Sequence, residues 1–530
     1  MLLCFYFCSA IATTVVGGMA NENTLTAELA SKLNGIAIVS SDIKDSDLEG
    51  RDMEALWARI VSFFEGKEGI KILDSATLAS ILEKQQEEKA PVPVEIIRPT
   101  EFKPEAEELP PDFKIMKKEA RISGNTSEAF VGYFKDRFSA LRDLVENGRS
   151  TVLGGTLRSL DKIKEYANGR EVSIVGMVYD KITTKNGHIL LTLEDESGTA
   201  KVLFLHSDTP ELKALFENAG RIVNDDVIAV KGKISGPFVI ANMILWPDIP
   251  IHERKKSRED TSIAFISDIH IGSRFFIEKQ FNAFLGWLNG RVDYRRDLAG
   301  KVKYIIANGD LVDGIGVYPN QERELTVDDI YKQYSILFSL LNAIPEYIQV
   351  FVIPGNHDAV RRAEPQPELP KEFYSNLGSN IHLLQNPSYI EIAGQLVLAY
   401  HGASLDSVIR QIPNCSYSKP ETAMTELLRR RHLSPIYGGN IIAPSDKDAL
   451  VIDKVPDIFH VGHIHKNGST DYHGTLLINS GTWQARTSFQ VKQGHVPSPC
   501  LLPVYQTAQD KLVNIDFNNL SESAELEGAQ

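Results

Sequence analysis

At 530 residues the chain is longer than one hydrophobic core usually holds, so two to four domains are expected. The composition, 43% hydrophobic and 24% charged, is that of a soluble globular protein, and no apolar stretch in the body of the chain is long enough to cross a bilayer. The net charge of -14 argues against a broad basic surface that grips DNA by counterion release, so any nucleic-acid contact must be local, metal-assisted or shared with a partner.

The first residues, MLLCFYFCSAIATTVVGG, have the apolar character of a signal peptide but lack its leading positive charges. Translation from Met19, with a helix capped near Asn23 or Thr24, is the preferred reading over export. Cys4, Cys8, Cys415 and Cys500 have no zinc-site spacing and are too few for a disulfide framework, as expected of a cytoplasmic protein. From Thr24 to Glu88 apolar residues recur at helical spacing, as in Leu56, Ile60 and Phe63 or Leu78, Ile81 and Leu82, which predicts a small helical packing or docking domain. Six prolines among Glu and Lys between Pro91 and Pro111 predict a disordered linker.

A helix is predicted from Thr126 to Asn147, with Phe130, Phe134, Phe138 and Leu141 on one stripe that belongs to a core. From Arg170 to Pro250 short strands alternate with turns: EVSIVGMVYDKI, the Asn186-Gly187 turn, HILLTLEDESG, TAKVLFL, DDVIAVKGKI and FVIANMILW. They predict a small β-barrel whose strand order and DESG corner resemble an OB-fold, a common nucleic-acid binder. Candidate base-stacking and basic residues are few (Tyr179, His206 and Phe238 beside Lys181, Lys201 and Lys233), which puts a structural or subunit-bridging role ahead of single-strand binding.

From Ser262 onward the buried runs SIAFIS, KYIIA, IQVFVIP, LVLAY and DIFHVG read as central strands of a covered α/β sheet, whose ligands gather where strands end. Each run ends in metal-binding residue types: Asp268 and His270, then Asp310, then Asn356, His357 and Asp358, then His401, then His463 and His465. A single such ending is usually a cap or a satisfied polar group, but five in succession point to one site. Pairs two residues apart, Asp268 with His270 and His463 with His465, are expected to share one side of an extended strand. A carboxylate such as Asp310 can bridge two cations, and mixed nitrogen and oxygen ligation favours Mn, Fe or Zn over Mg or Ca. The run Arg429 to Arg431 reads as a solvated helix end, and His460 as a packed or hydrogen-bonded strand residue.

The set D-x-H, G-D, G-N-H-D, H-G and G-H-x-H resembles the calcineurin-type metallophosphoesterases. That resemblance implies a first divalent metal held by Asp268, His270, Asp310 and His465 and a second held by Asp310, Asn356, His401 and His463, with Mn ahead of Fe or Zn. It also implies His357 as the general acid, oriented by Asp358. The longer stretches NGDLVDGIGVYPNQ, YHGASLD, RRRHLSPIYGG and GHIHKNG followed by INSGTWQ, and the domain order, resemble the small subunit of the archaeal D-family DNA polymerase. This implies a 3′-to-5′ exonuclease that proofreads DNA ends for a separate large catalytic subunit. A double-strand-break-repair nuclease of the same superfamily is the alternative.

The expected architecture is thus multidomain α+β. An apolar extension (1–18) foreign to the native protein precedes a helical domain (19–88) and a disordered linker (89–122). A helix with an OB-fold (123–255), a four-layer α/β/β/α calcineurin-like phosphoesterase domain (256–515) and an acidic tail (516–530) complete it.

Overall fold

The computed structural model describes residues 98–116, 121–154 and 157–520, with separate positions between 29 and 78. The reading of 1–18, the start at Met19 and most of the acidic tail lie outside the described residues. Two compact units are present, Met1–Val92 and Pro93–Gln530.

In the first unit, strand β1 (Ile38–Val39) pairs in parallel with β2 (Ile72–Leu73), and helix α1 (Met53–Phe64) comes between them in sequence. Leu56, Ile60 and Phe64, four residues apart, are buried with Leu33, Leu48, Leu73 and Leu78. The strand pair is an addition to the helices expected here, and Phe64 rather than Phe63 completes the buried stripe.

The second unit begins with strand β3 (Phe113–Met116) and helix α2 (Ser127–Leu153). Strands β4 (Glu171–Thr183), β5 (Ile189–Glu194), β6 (Thr199–Phe204), β7 (Val227–Ser235) and β8 (Phe238–Leu245), with helix α3 (Pro210–Gly220), close a barrel in the order β4-β5-β6-β8-β7. Alternate residues such as Leu191, Leu193, Val202 and Phe204 fill its interior. Helix α2 lays Phe138, Leu141 and Val145 against Val175, Met177 and Ala229 of the barrel wall.

The body contains β9 (Ser262–Ile266), α4 (Glu278–Leu288), β10 (Val302–Asn308), α5 (Ile330–Asn342), β11 (Gln349–Ile353) and β12 (Ile381–Leu383). It continues with β13 (Ser388–Ile392), β14 (Gln395–Tyr400), α6 (Leu405–Gln411), α7 (Pro420–Arg430), β15 (Ile458–Val461), β16 (Asn467–Tyr472) and β17 (Thr475–Ser480). Helix α8 (Ser488–Gln493) and strands β18 (Leu501–Gln506) and β19 (Lys511–Asp516) end it. Two six-stranded sheets result, ordered β12-β11-β10-β9-β18-β19 and β16-β17-β15-β14-β13-β3.

Strand alternation explains why these runs are apolar throughout. Ile263, Phe265, Ile306, Phe351 and Ile353 of the first sheet share a core with Val397, Ala399, Ile458 and Ile478 of the second. The intervening residues Ala264, Ile305 and Val350 pack on Phe281, Leu285 and Leu337 of α4 and α5, while Leu398, Phe459 and Leu477 pack on Val408, Met424 and Leu427. Neighbouring strands β9, β10, β11 and β12 run parallel, as do β14, β15 and β17, so their carboxyl ends gather at one edge of each sheet.

The expected disordered linker is corrected over 98–116, which straps the body. Phe102 packs so closely on Gly290 that a Cβ there would lie 2.2 Å from its ring. Buried Lys303 donates through Nζ to the carbonyls of Ala106 and Leu109, the Asp112 amide donates to the Tyr304 hydroxyl at 2.8 Å, and β3 pairs with β13. Proline-rich composition denies this segment a core of its own, but a neighbouring surface supplies one.

The arginine run is also corrected. Arg430 is 2% exposed, and its guanidinium bonds Asp226 of the barrel domain at 2.7 Å, Glu426 and the Arg221 carbonyl. Arg431 is buried on the carbonyls of Ile452 and Asp453. Arg430 ties the barrel to the body and Arg431 is held within the body, so neither is a solvated helix end. Among the described residues, no helix is long and apolar enough to cross a membrane.

Removing one partner of such a pair strands the other's charge in the interior, so Arg430→Met is expected to destabilise the second unit by about 3–5 kcal/mol in urea unfolding. A loss below about 1 kcal/mol would show that this contact does not hold the domains together.

Candidate active site

The residues named at the strand ends converge on a cleft of about 270 Å³ lined by His270, Asp310, Asn356, His357, His463 and His465, among others. The pleat is not what aligns them. Strands β9 and β15 stop at Ile266 and Val461, and Asp268, His270, Asp310, His463 and His465 all have φ between 49° and 67°. Left-handed backbone is costly for residues with a Cβ, by roughly 1–2 kcal/mol each, so the surrounding structure has to impose it. It does so through the Asp268 and His270 amides, which donate to the carbonyls of Gly309 and Asp310 at 2.9 and 3.0 Å.

Glycines in the motifs make room. A Cβ on Gly309 would lie 2.3 Å from His401 Nδ1, one on Gly355 2.3 Å from Asp310 Oδ1, and one on Gly462 2.6 Å from Asp268 Oδ2. Beneath the cleft, the Asn308 side chain donates to the carbonyls of Tyr400 and His460, both at 3.0 Å, tying the sheets together.

Among the described residues, three groups of ligand atoms lie close enough to hold a cation: Asp268 with His270 and His465, Asp310 with His401 and His463, and His270 with Asp313 and His357. Asp310 Oδ2 is 3.3 Å from His401 Nε2 and 4.0 Å from His270 Nε2, facing the first two groups at once. His401 donates through Nδ1 to the Asn308 carbonyl, at 3.0 Å, which turns Nε2 toward Asn356 Oδ1 at 3.1 Å. His270 is held in the same manner, Nδ1 on Asp313 at 3.0 Å, with Nε2 3.1 Å from His465 Nε2. Tautomers fixed by a second partner in this way are the usual setting of imidazole ligands.

The electrostatics favour positive charge. Burial opposes the His401 imidazolium, yet Asp310 and Asp268 push its pKa up to about 10. Despite the same burial, His401 and His357 hold the Asp310 carboxyl well below the ordinary range. Burial lowers His357 itself, against the pull of Asp310.

Several roles differ from those expected. Asp358 does not touch His357; it accepts from the Gly355 amide at 2.7 Å and from the Leu311 and Val312 amides and the Tyr334 hydroxyl, so it holds the loops that carry Asp310 and Asn356. His357 instead donates through Nδ1 to the Asp313 carbonyl at 2.7 Å. His460, by contrast, is the packed and hydrogen-bonded strand residue expected: it is fully buried, 2.9 Å from Ser480 Oγ, and burial drives its pKa down to about 3. Asp313 and Asp406, which faces His463 at 3.3 Å, were not singled out in the sequence. Both stand inside the stretches NGDLVDGIG and YHGASLD, where Asp313 looks like part of a turn and Asp406 like a helix-start residue.

In the barrel, Tyr179 is exposed, but Lys181 is committed to the carbonyls of Gly220 and Ile222 at 2.7 and 2.8 Å.

Comparison with known proteins bears on both domains. A family model described as an OB-fold nucleic acid binding domain matches residues 172–238, and one for the B subunits of DNA polymerases alpha and epsilon matches residues 263–469. The double-sheet body thus matches the polymerase B-subunit family over part of its length, behind a barrel that matches the OB-fold family. The DNA polymerase II small subunit of Archaeoglobus fulgidus is 42% identical over 393 residues, covering 73% of this chain and 77% of that protein. That of Methanothermobacter thermautotrophicus is 39% identical over 432 residues, 79% of this chain and 87% of that protein, and that of Halobacterium salinarum 38% over 386 residues, 71% and 72%. The chain belongs to the DNA polymerase II small subunit family, the D-family small subunits that its motifs resemble.

Behind His401, Glu364 is 1% exposed, accepts from the Tyr400 hydroxyl at 3.1 Å and from Asn440, and burial raises its pKa to about 7. The native state therefore binds the extra proton between the ordinary value of 4.5 and about 7, and stability falls as pH rises through that window. In chelator-treated protein, wild type minus Glu364→Gln is expected to show this fall, up to about 3 kcal/mol, and to be flat above it. A difference that does not vary with pH in urea titrations would contradict the assignment.

Proposed function

We propose that this chain is the 3′-to-5′ exonuclease subunit of a heteromeric DNA polymerase, removing single-stranded or mismatched 3′ ends for a large catalytic subunit. The observation that carries the reading is Asp310 Oδ2, which faces the His401 group and the His270 group together, as a carboxylate shared by two cations must. The two sheets with helices on their outer faces are read as a calcineurin-like phosphoesterase body. The helix-containing first unit is read as a packing or docking module.

Four imidazoles, two carboxylates and an amide oxygen suit Mn, with Fe or Zn as alternatives. Asp268, His270, Asp310 and His465 would hold one ion, and Asp310, Asn356, His401 and His463 the other. When bound, the ions supply a hydroxide at neutral pH and neutralise phosphate charge. The chain's own residues do the rest. Asp313 and Asn308 fix the rings of His270 and His401 in the orientation that aims Nε2 into the cleft. His357, anchored at Nδ1, presents Nε2 3.9 Å from Asp310 Oδ2 at the cleft wall. As water oxygen joins phosphorus and the P–O3′ bond breaks, His357 in its imidazolium form, which burial disfavours and Asp310 favours, passes the Nε2 proton to the leaving O3′. The products are a 5′-nucleotide and a strand shortened by one residue.

The test is release of nucleotides from single-stranded DNA by the purified chain with Mn²⁺. His357→Ala is expected to keep its metal content and lose roughly 10²- to 10⁴-fold in rate, the usual contribution of a positioned proton donor. His463→Ala is expected to lose metal itself. Metal loss in the first variant, or full metal content in the second, overturns the assignments.

A further inference from the structure

Four rings line the cleft beside the ionic residues: Tyr318, Phe489, Tyr417 and His495. They form two pairs. Tyr318 and Phe489 lie 6.2 Å apart between centroids at 32°, and Tyr318 is 6.1 Å from His357. Tyr417 and His495 lie 4.1 Å apart, also at 32°. The Tyr417 hydroxyl donates to Asp406 Oδ1 at 2.9 Å, and Asp406 Oδ2 faces His463. One pair therefore stands at the His357 end of the cleft and the other at the His463 end.

Tyr417 packs in part against the core of the second sheet, but core packing does not account for Phe489. Phe489 is 51% exposed, an apolar ring held in water at the rim of a charged site. Its position is nonetheless fixed: Thr487 and Gln490 form a capping box at the start of α8, and Gln490 Nε2 reaches His465 Nδ1 at 2.8 Å. The helix that carries Phe489 is thus tied directly to the site. A net charge of -14 argues against a broad basic surface that holds a nucleic-acid end, whereas an aromatic face binds any base without positive charge.

We propose that the two pairs are nucleobase platforms on either side of the scissile phosphate, so that the cleft takes the last two nucleotides of a strand with their bases unpaired. This rests on the phosphodiesterase reading above. With His357 protonating O3′, the penultimate nucleoside, which owns that oxygen, stacks on Tyr318 and Phe489. The terminal nucleoside stacks on Tyr417 and His495. A paired end must open two bases to enter, which discriminates between matched and mismatched ends.

The probe is octathymidylate whose last linkage carries a methylene in place of O3′, which cannot be cut, with a base removed at the terminal or the penultimate position. Binding to the full chain in Mn²⁺ is read by fluorescence anisotropy. In the wild type each missing base is expected to weaken binding by roughly 5- to 150-fold, the value of one base–aromatic stack. Phe489→Ala should erase the penalty at the penultimate position alone, and His495→Ala at the terminal position alone. Equal binding of all three probes by the wild type, or penalties that persist in both variants, overturns the proposal. Cleavage of unmodified DNA without these penalties sinks the platforms and spares the phosphodiesterase reading. The penalties without cleavage do the reverse.

Discussion

Face-to-face packing of the two six-stranded sheets is the constraint from which the rest of the body follows. Ile263, Phe265, Ile306 and Ile353 meet Val397, Ala399, Ile458 and Ile478, with the buried ring of His460 packed on Phe265, and this contact fixes how the strand ends of the two sheets face each other. Asn308 then reaches across to the carbonyls of Tyr400 and His460, the residues just before His401 and Val461. A shift of one strand relative to the other sheet would break these bonds and separate Asp310 from His401. The left-handed residues at the strand ends are tolerable because the same packing holds the loops on both sides of them.

Charge is handled in the same hierarchical way. Buried carboxylates and imidazoles would be a liability if they faced apolar surroundings singly, but here the imidazoles are oriented by polar partners: His270 by Asp313, His401 by the Asn308 carbonyl, His463 by Asp406. Under the proposed role, the arrangement preorganises the site so that cations meet aligned donors. The barrel is joined to this body by another buried ionic cluster, Asp226, Arg430 and Glu426, which makes orientation of the OB-fold part of the architecture rather than a matter of linker length.

The central strands were legible because burial on both faces leaves uninterrupted apolar runs, and the barrel because its strands alternate between turn signals. The strand-end residues could be read as one set because the chemistry was repeated at every end. What was not legible depends on contacts between distant segments. The strap at 98–116 has the composition of a linker, and only Gly290, Lys303 and Tyr304, some two hundred positions onward, give it a surface. Arg430 reads as a helix-end charge until Asp226 of the barrel is brought beside it. Asp358 follows His357 directly, yet its carboxylate turns back to the Gly355 and Leu311 amides, a choice of direction that adjacency in sequence does not reveal.

Under the proposed proofreading role, excision and synthesis belong to different chains, and Asp310 is where they separate. In that role, replacing it with Asn removes the charge that would let two cations sit close together despite their repulsion, while the sheet core and the Arg430 cluster are untouched. The decisive measurement reconstitutes Asp310→Asn with the large catalytic subunit and follows both reactions on one preparation. The expected result is that removal of mismatched 3′ ends is abolished while complex formation and extension of matched ends persist. Surviving excision, or loss of extension in an intact complex, would contradict the account.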